Sequence, residues 1–295
     1  MQLSTVTMII LIGFLIWFII LDSIIKRSSY YKQTHKGLFT FLSDKGAYGE
    51  YLTYEKLKRY EKSGAKFLFN CYLPAQDEKT SEIDVIMLHT SGVYVFESKN
   101  YSGWIFGSED GKTWTQTLPS GRKAHKEHFY NPVMQNRSHI KWLRKQIGDT
   151  IPVHSIIVFS ERCELKNITL HSSDIRVIKR NVLYHTVCAI DEKNKDRISL
   201  SMVNDLYESL SKYVNVSAEI KEQHIRDINA SKASVKPDHT TVTPHQTPSS
   251  DLCPKCGSPL VLRQAKKGQH AGQTFWGCSN YPKCRFTKQV SEQKK

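Results

Sequence analysis

Two stretches decide how the chain is read: Glu82-Ile83-Asp84-Val85-Ile86-Met87, and then Val93-Tyr94-Val95-Phe96-Glu97-Ser98-Lys99-Asn100. Residues 83–88 and 93–96 are β-branched and aromatic runs, and His89-Thr90-Ser91-Gly92 between them is a short turn, so the pair predicts a β-hairpin. Side chains alternate faces along a strand, which puts Glu97 and Lys99 on one side. Asp84, at the start of the first strand, is then carried to the end of the second.

Outward from this hairpin the pattern keeps alternating between periods. Upstream, Tyr48, Leu52, Leu57 and Tyr60 recur at helical spacing, so residues 46–63 predict a helix stopped by Gly64, and residues 66–73 a strand. Downstream, short strands around 104–106 and 113–117 flank the turn sequence Glu109-Asp110-Gly111-Lys112. Asn131-Pro132 supplies a cap and a first-turn proline for a helix through residue 147. Residues 154–159 and 175–178 read as strands and 197–213 as a last helix. The order implies an α/β domain over residues 40–215, a mixed sheet flanked by helices.

Asp84, Glu97 and Lys99 together suit phosphodiester hydrolysis. Carboxylate oxygens hold Mg²⁺ or Mn²⁺, the metal stabilises charge on phosphate, and a lysine beside it orients water or offsets charge. Taken alone, the spacing is a weak signal, and a pair of strand-end acids is the plain alternative. His125 and His128 are candidates for a metal pair or a phosphate contact, weighed against a solvated basic loop, which is the favoured reading.

With these residues stand Gly49-Glu50 on the first helix, Gly103-Trp104-Ile105, and Asn131-Pro132 followed by Gln135. In this order over residues 46–158 they resemble the nuclease-related domain, NERD, of the PD-(D/E)xK nuclease superfamily. The resemblance implies a restriction-endonuclease-like fold. It matches Asp84 and Glu97 to the metal carboxylates, Lys99 to the lysine of ExK, Glu50 to the first-helix acid and Gln135 to the helix glutamine. The proline of the superfamily's name is absent before Asp84. The superfamily also includes members that bind without cutting, so a non-catalytic DNA-binding role is the alternative.

At the other end, Cys253-Pro254-Lys255-Cys256-Gly257 and Cys278-Ser279-Asn280-Tyr281-Pro282-Lys283-Cys284 give the spacing C-x2-C-x21-C-x5-C. Two close thiolate pairs make a tetrahedral Zn²⁺ site, and a module spanning residues 252–290 needs such a staple because its core is small. The run resembles the zinc ribbons of bacterial type IA topoisomerases, which implies binding of single-stranded DNA. Trp276 and Tyr281 suit base stacking, and Arg263, Lys266, Lys267, Lys283, Arg285 and Lys288 suit phosphate contacts. Phe275 and Phe286 are the expected core fillers. Residues 216–251 are poor in large apolar side chains and read as a flexible linker.

Residues 3–25 open the chain with an uncharged run from Leu3 to Leu21, long enough to cross a bilayer, followed by Lys26, Arg27, Lys32 and Lys36. Basic residues stay on the cytoplasmic side. The expectation is a single-pass anchor in a bacterial inner membrane with the soluble parts in the cytoplasm. A signal peptide is disfavoured, because no basic residue precedes the run and no small-residue cleavage site follows it. Odd cysteine usage, 7 in all, fits a reducing compartment, with Cys71, Cys163 and Cys188 as core thiols.

The net charge of +14 sharpens the partner class. Residues 253–295 carry +8 of it and residues 26–209 carry +7, while residues 210–252 are neutral. A basic module with stacking aromatics points to nucleic acid without separating DNA from RNA, and DNA is what the ribbon's resemblance implies. Oligomeric state is not encoded in any of these patterns.

Overall fold

The computed structural model describes residues 5–119, 124–234, 252–264, 273–280 and 284–289. It divides into two compact units, residues 1–232 and 233–295.

The first unit begins with α1 (Thr5–Arg27), whose segment Val6–Arg27 is long and apolar enough to cross a membrane. Two short helices follow, α2 (Ser29–Thr34) and α3 (Leu38–Ser43). Then come α4 (Lys45–Leu57) and a 3-10 turn (Lys58–Ser63), ending at Gly64 with φ +90°. The glycine stop is where the sequence puts it, because a left-handed C-cap costs glycine nothing.

β1 (Lys66–Pro74), β2 (Thr80–His89) and β3 (Gly92–Lys99) form an antiparallel meander. β4 (Gly103–Ser108), β5 (Thr113–Leu118) and β6 (His125–Tyr130) form a second one. α5 (Pro132–Ile147) starts at Asn131, whose Oδ1 accepts the Val133 N–H at 2.9 Å, with Pro132 in the first turn. β7 (Val153–Phe159), β8 (Cys163–Thr169) and β9 (Ile175–Lys179) lead into α6 (Leu183–Lys193), α7 (Leu200–Ser211) and α8 (Ala218–Ser234). The main sheet runs β1-β2-β3-β7-β9, with β3, β7 and β9 parallel; the second runs β6-β5-β4-β8. The result is the expected mixed sheet between helices.

One layer packs Tyr30, Tyr54, Phe67, Phe69, Val85, Tyr94 and Phe96 under α2, α4 and α6. The other packs Leu68, Cys71, Ile83, Ile86, Val93 and Val95 under α5 and α7. These lists contain an anomaly. Phe69 and Cys71 are two residues apart yet face opposite layers, as do Ile83 and Val85. Between them Asn70 takes φ +47°, opposite Asp84 in the register. Both strands therefore exchange faces at this step, and Asp84 stands where regular alternation breaks.

Four expectations are revised. His125 and His128 lie in strand β6 and not in a loop, on opposite faces by alternation, which does not support a shared ligand. The start of the presumed linker is helix α8. Its buried His224 meets Thr80 Oγ1 at 2.9 Å and packs edge-on to Tyr72. Strand β8 and helices α2, α3 and α6 have no counterpart in the sequence reading. Leu21 and Ile25, assigned to the anchor, pack into the core of the domain.

Glu109 holds the second sheet to the loop after β8. It accepts N–H groups of His171 at 2.6 Å and Ser172 at 2.9 Å, with the Ser172 hydroxyl and Arg137 as further donors. Those Ser172 and His171 hydrogen bonds hold its carboxyl down at about 2, below its ordinary 4.5. A depressed acid stabilises the fold above its unfolded value and loses that contribution as pH falls through the folded one. Glu109→Gln should therefore lower the melting temperature at neutral pH and flatten its decline between pH 4.5 and 2, as thermal melts against pH will read.

Candidate functional site

At the ends of β2 and β3 the apolar sheet runs into charge. The pairing of Val85 with Phe96 makes Asp84 and Glu97 the next step along the two strands. Asp84 Oδ2 accepts the Ser98 N–H at 2.8 Å. Glu97 is 1% exposed, and Lys99 Nζ lies 2.6 Å from its Oε1. Gln135 Oε1 on α5 accepts from Lys99 Nζ at 3.1 Å. Glu50, buried on α4, takes Tyr30 Oη–H and Asn70 Nδ2–H on its Oε2, each at 3.0 Å, with Lys36 Nζ at 4.0 Å. The two strands and two helices thus gather Glu50, Asp84, Glu97, Lys99 and Gln135 into one region.

The electrostatics are unbalanced. Burial drives Asp84 well above its ordinary range, and neighbouring Glu97 and Glu50 add to it. Burial also raises Glu50, against the pull of Lys36. Glu97 ends below its usual value: burial pushes it up, but Lys99 and then His139 outweigh that. Burial opposes the charge on Lys99 too, yet Glu97 and Asp84 raise it, so it remains an ammonium. A pocket with this surplus of carboxylate oxygen suits a divalent cation, whose charge would offset what burial and the neighbouring acids impose on Asp84.

Several participants escaped the sequence reading. His139 Nε2 is 3.2 Å from Glu97 Oε2, and its Nδ1 is 2.7 Å from Ser81 Oγ. The available signal was its i, i+4 relation to Gln135, which puts both on one face of α5. Asn70 is drawn in by its positive φ, which no motif announces. Arg162 Nη2 donates to the backbone O and Oδ1 of Asn100 at 3.0 and 3.1 Å, and buried Arg180 lies 3.4 Å from the same Oδ1. Both arginines thus flank the residue after Lys99.

In the second unit, β10 (Leu260–Gln264), β11 (Thr274–Cys278) and β12 (Thr287–Gln289) form an antiparallel sheet. Sulfur atoms of Cys253 and Cys284 are 3.7 Å apart and those of Cys256 and Cys278 are 3.3 Å apart, all four lying within 4.8 Å. Tetrahedral zinc with bonds near ~2.3 Å needs sulfurs about 3.8 Å apart, so the four cysteines form a zinc-binding ribbon. Gly257, at φ +70°, closes the knuckle with its N–H on Cys253 O at 2.8 Å.

The aromatic assignments exchange places. Trp276 packs with Phe286 against Cys253, Leu260, Cys278 and Cys284. Phe275 is on the opposite side of β11, paired in register with Arg263. Strand alternation requires one of two adjacent aromatics to face inward, and it is the tryptophan. Arg285 and Lys288 are exposed. Lys266, Lys267, Tyr281 and Lys283 lie outside the described residues.

Comparison with known proteins agrees with this geometry. The nuclease-related domain family matches residues 45–160, and the topoisomerase DNA binding C4 zinc finger matches residues 250–293. An uncharacterized protein of Bacillus anthracis is 30% identical over 182 residues, covering 62% of this chain and 82% of the relative. The chain belongs to the nuclease-related domain, or NERD, family. DNA topoisomerase 1 of Archaeoglobus fulgidus is 60% identical over 35 residues, and that of Methanocaldococcus jannaschii 51% over 41. They match 12% and 14% of this chain but only 5% of either enzyme, so the ribbon alone is shared. No solved structure matches the chain at a significant level.

Within the NERD domain, Gly49 sets how closely α4 approaches β3. A Cβ there would lie 2.9 Å from Asn100 Cβ and 3.2 Å from Ser98 Oγ. Gly49→Ala should cost about 1–3 kcal/mol in a denaturation curve and displace Glu50 from the site. In the ribbon, stripping zinc with a chelator, or Cys278→Ser, should erase amide protection in β10–β12. The melting transition of the NERD domain should stay in place.

Proposed function

We propose that this NERD protein is a membrane-anchored, Mg²⁺- or Mn²⁺-dependent DNA nuclease whose zinc ribbon captures the strand. The observation that carries the reading is buried Glu97 paired with Lys99 beside Asp84, which has no ion pair of its own among the described residues, at the ends of two interior strands. The topoisomerase-type ribbon, with Arg263 across from Phe275 and exposed Arg285 and Lys288, supports DNA as the substrate and single strands as its preferred form.

The chain's own residues divide the work. Asp84 and Glu97 would hold the divalent cation, which when bound stabilises negative charge developing on phosphate. Lys99 stays protonated, so it acts as a hydrogen-bond donor and a positive charge toward the phosphate or the attacking water, and not as the base. Gln135 aims the lysine and His139 steadies the far oxygen of Glu97. Glu50 closes the acidic side of the pocket. Arg162, exposed but pinned by Asn100 and Ser160, supplies positive charge to a strand passing the end of β3. The apolar α1 and the basic Lys26, Arg27, Lys32 and Lys36 support a single crossing of a bacterial inner membrane with both units in the cytoplasm.

A second reading, a protein that holds DNA at the membrane without cutting it, draws on the same ion pair: with Lys99 on Glu97, one catalytic oxygen is already engaged. One assay separates the two. The full chain in detergent is required, because truncation at residue 26 would remove Leu21 and Ile25 from the core. With Mg²⁺ or Mn²⁺ it should cleave DNA, and the near-isosteric Asp84→Asn and Glu97→Gln should each reduce cleavage by roughly 10²–10³-fold. Gel-shift affinity should be unchanged. Cleavage surviving both substitutions overturns the site, and binding without cleavage under any metal establishes the second reading.

A further inference from the structure

The apolar helix and the folded domain are not separate bodies joined by a hinge. Leu21 and Ile25 of α1 pack into the same core as Tyr30 and Phe41, and Ile25 is 2% exposed. Before Leu21 most α1 side chains are exposed, and Phe18 is the exception.

Beside this junction the domain shows an apolar surface of its own. α3 turns Phe41 inward, while Phe39 and Leu42, three residues apart on its outer face, are 69% and 74% exposed. The Phe39 ring meets that of Phe18 on α1 edge-on at 5.5 Å. The patch therefore continues the apolar surface of α1, where Phe14, Leu15 and Trp17 are also exposed. The adjoining segments carry Lys26, Arg27, Lys32 and Lys45, all exposed, with Lys26 also 2.7 Å from Asp22, and such basic residues suit anionic headgroups.

Taking α1 as the membrane anchor, we infer that α3 is a bilayer-docking element, with Phe39 and Leu42 entering the boundary of an anionic membrane at the depth of Phe18. An exposed apolar face that continues the anchor's own surface, on a segment flanked by basic residues, is the surface that enters the interface most readily. The consequence for the site is direct. α3 is followed at once by Asp44, the N-cap of α4, and α4 carries Glu50. The candidate catalytic pocket is thereby held at a fixed height and orientation over the lipid.

The test places a photoreactive benzoyl-phenylalanine in the full chain, reconstituted in vesicles of phosphatidylethanolamine and phosphatidylglycerol. It replaces, one at a time, Phe39, Leu42, Leu11 of α1, or Asp149, whose side chain is 90% exposed beyond α5. Lipid adducts counted by mass spectrometry should form at Phe39 and Leu42 as they do at Leu11, and be lost at Asp149. Substituting charge beside the label, Phe39→Glu with the label at position 42, should abolish the adduct there while Leu11 keeps its own. Adducts at Leu11 but none at 39 or 42 overturn the docking and leave the anchor intact. No adduct at Leu11 overturns the anchor, and the docking with it.

Discussion

Burying a carboxylate is the constraint around which this fold is arranged. Glu97 ends an otherwise apolar strand, where an uncompensated charge would be prohibitive. It is kept ionised by Lys99 on one oxygen and His139 near the other. That requirement explains why β3 must end against α5, since Gln135 and His139 both come from that helix. It also explains the fit of α4 at Gly49, where the helix backbone is close enough to present Glu50 to the same pocket. Breaking such a pair strands the remaining charge, so these groups are bound to one another structurally as well as chemically.

The face exchange at Asn70 is the second element of the design. A regular two-residue period would keep Ile83 and Val85 in one layer and leave Asp84 pointing into the other. The positive φ of Asn70 frees Asp84 from that choice, and it frees Asn70 itself to donate to Glu50. A single backbone irregularity thus supplies two contacts to the pocket, one on each strand. The pairing of β1 with β2 continues in the same register on both sides, so the ladder is otherwise undisturbed.

Which parts were legible follows from the range of the interactions. The hairpin, the Asn131-Pro132 helix start, the Gly64 stop and the cysteine knuckle are written in neighbouring residues, and the structure has each of them. The Glu97–Lys99 relation is likewise local, being two positions along one strand. His139 was missed because its partners, Ser81 and Glu97, come from other elements, and its own neighbourhood reads as an ordinary amphipathic helix. β6 and β8 were missed because their side chains are largely exposed and polar, so no period-two contrast marks them. In the ribbon, composition told that one aromatic must be interior, but choosing between Phe275 and Trp276 needed the strand register.

The two ends of the chain solve the problem of small size differently. The ribbon has few side chains to bury, Leu260 with parts of Trp276 and Phe286, and its four sulfurs stand at the centre of that cluster, so metal binding and folding are one event. The N-terminal helix has apolar surface in excess, and spends its last turns on the NERD core through Leu21 and Ile25. Metal affinity therefore governs whether the ribbon is folded. The orientation of the pocket depends instead on the packing of an apolar helix against Tyr30 and Phe41, the same Tyr30 that donates to Glu50. Tyr30 is thus common to the core that holds the end of α1 and to the acidic pocket, so the packing of this helix bears directly on Glu50.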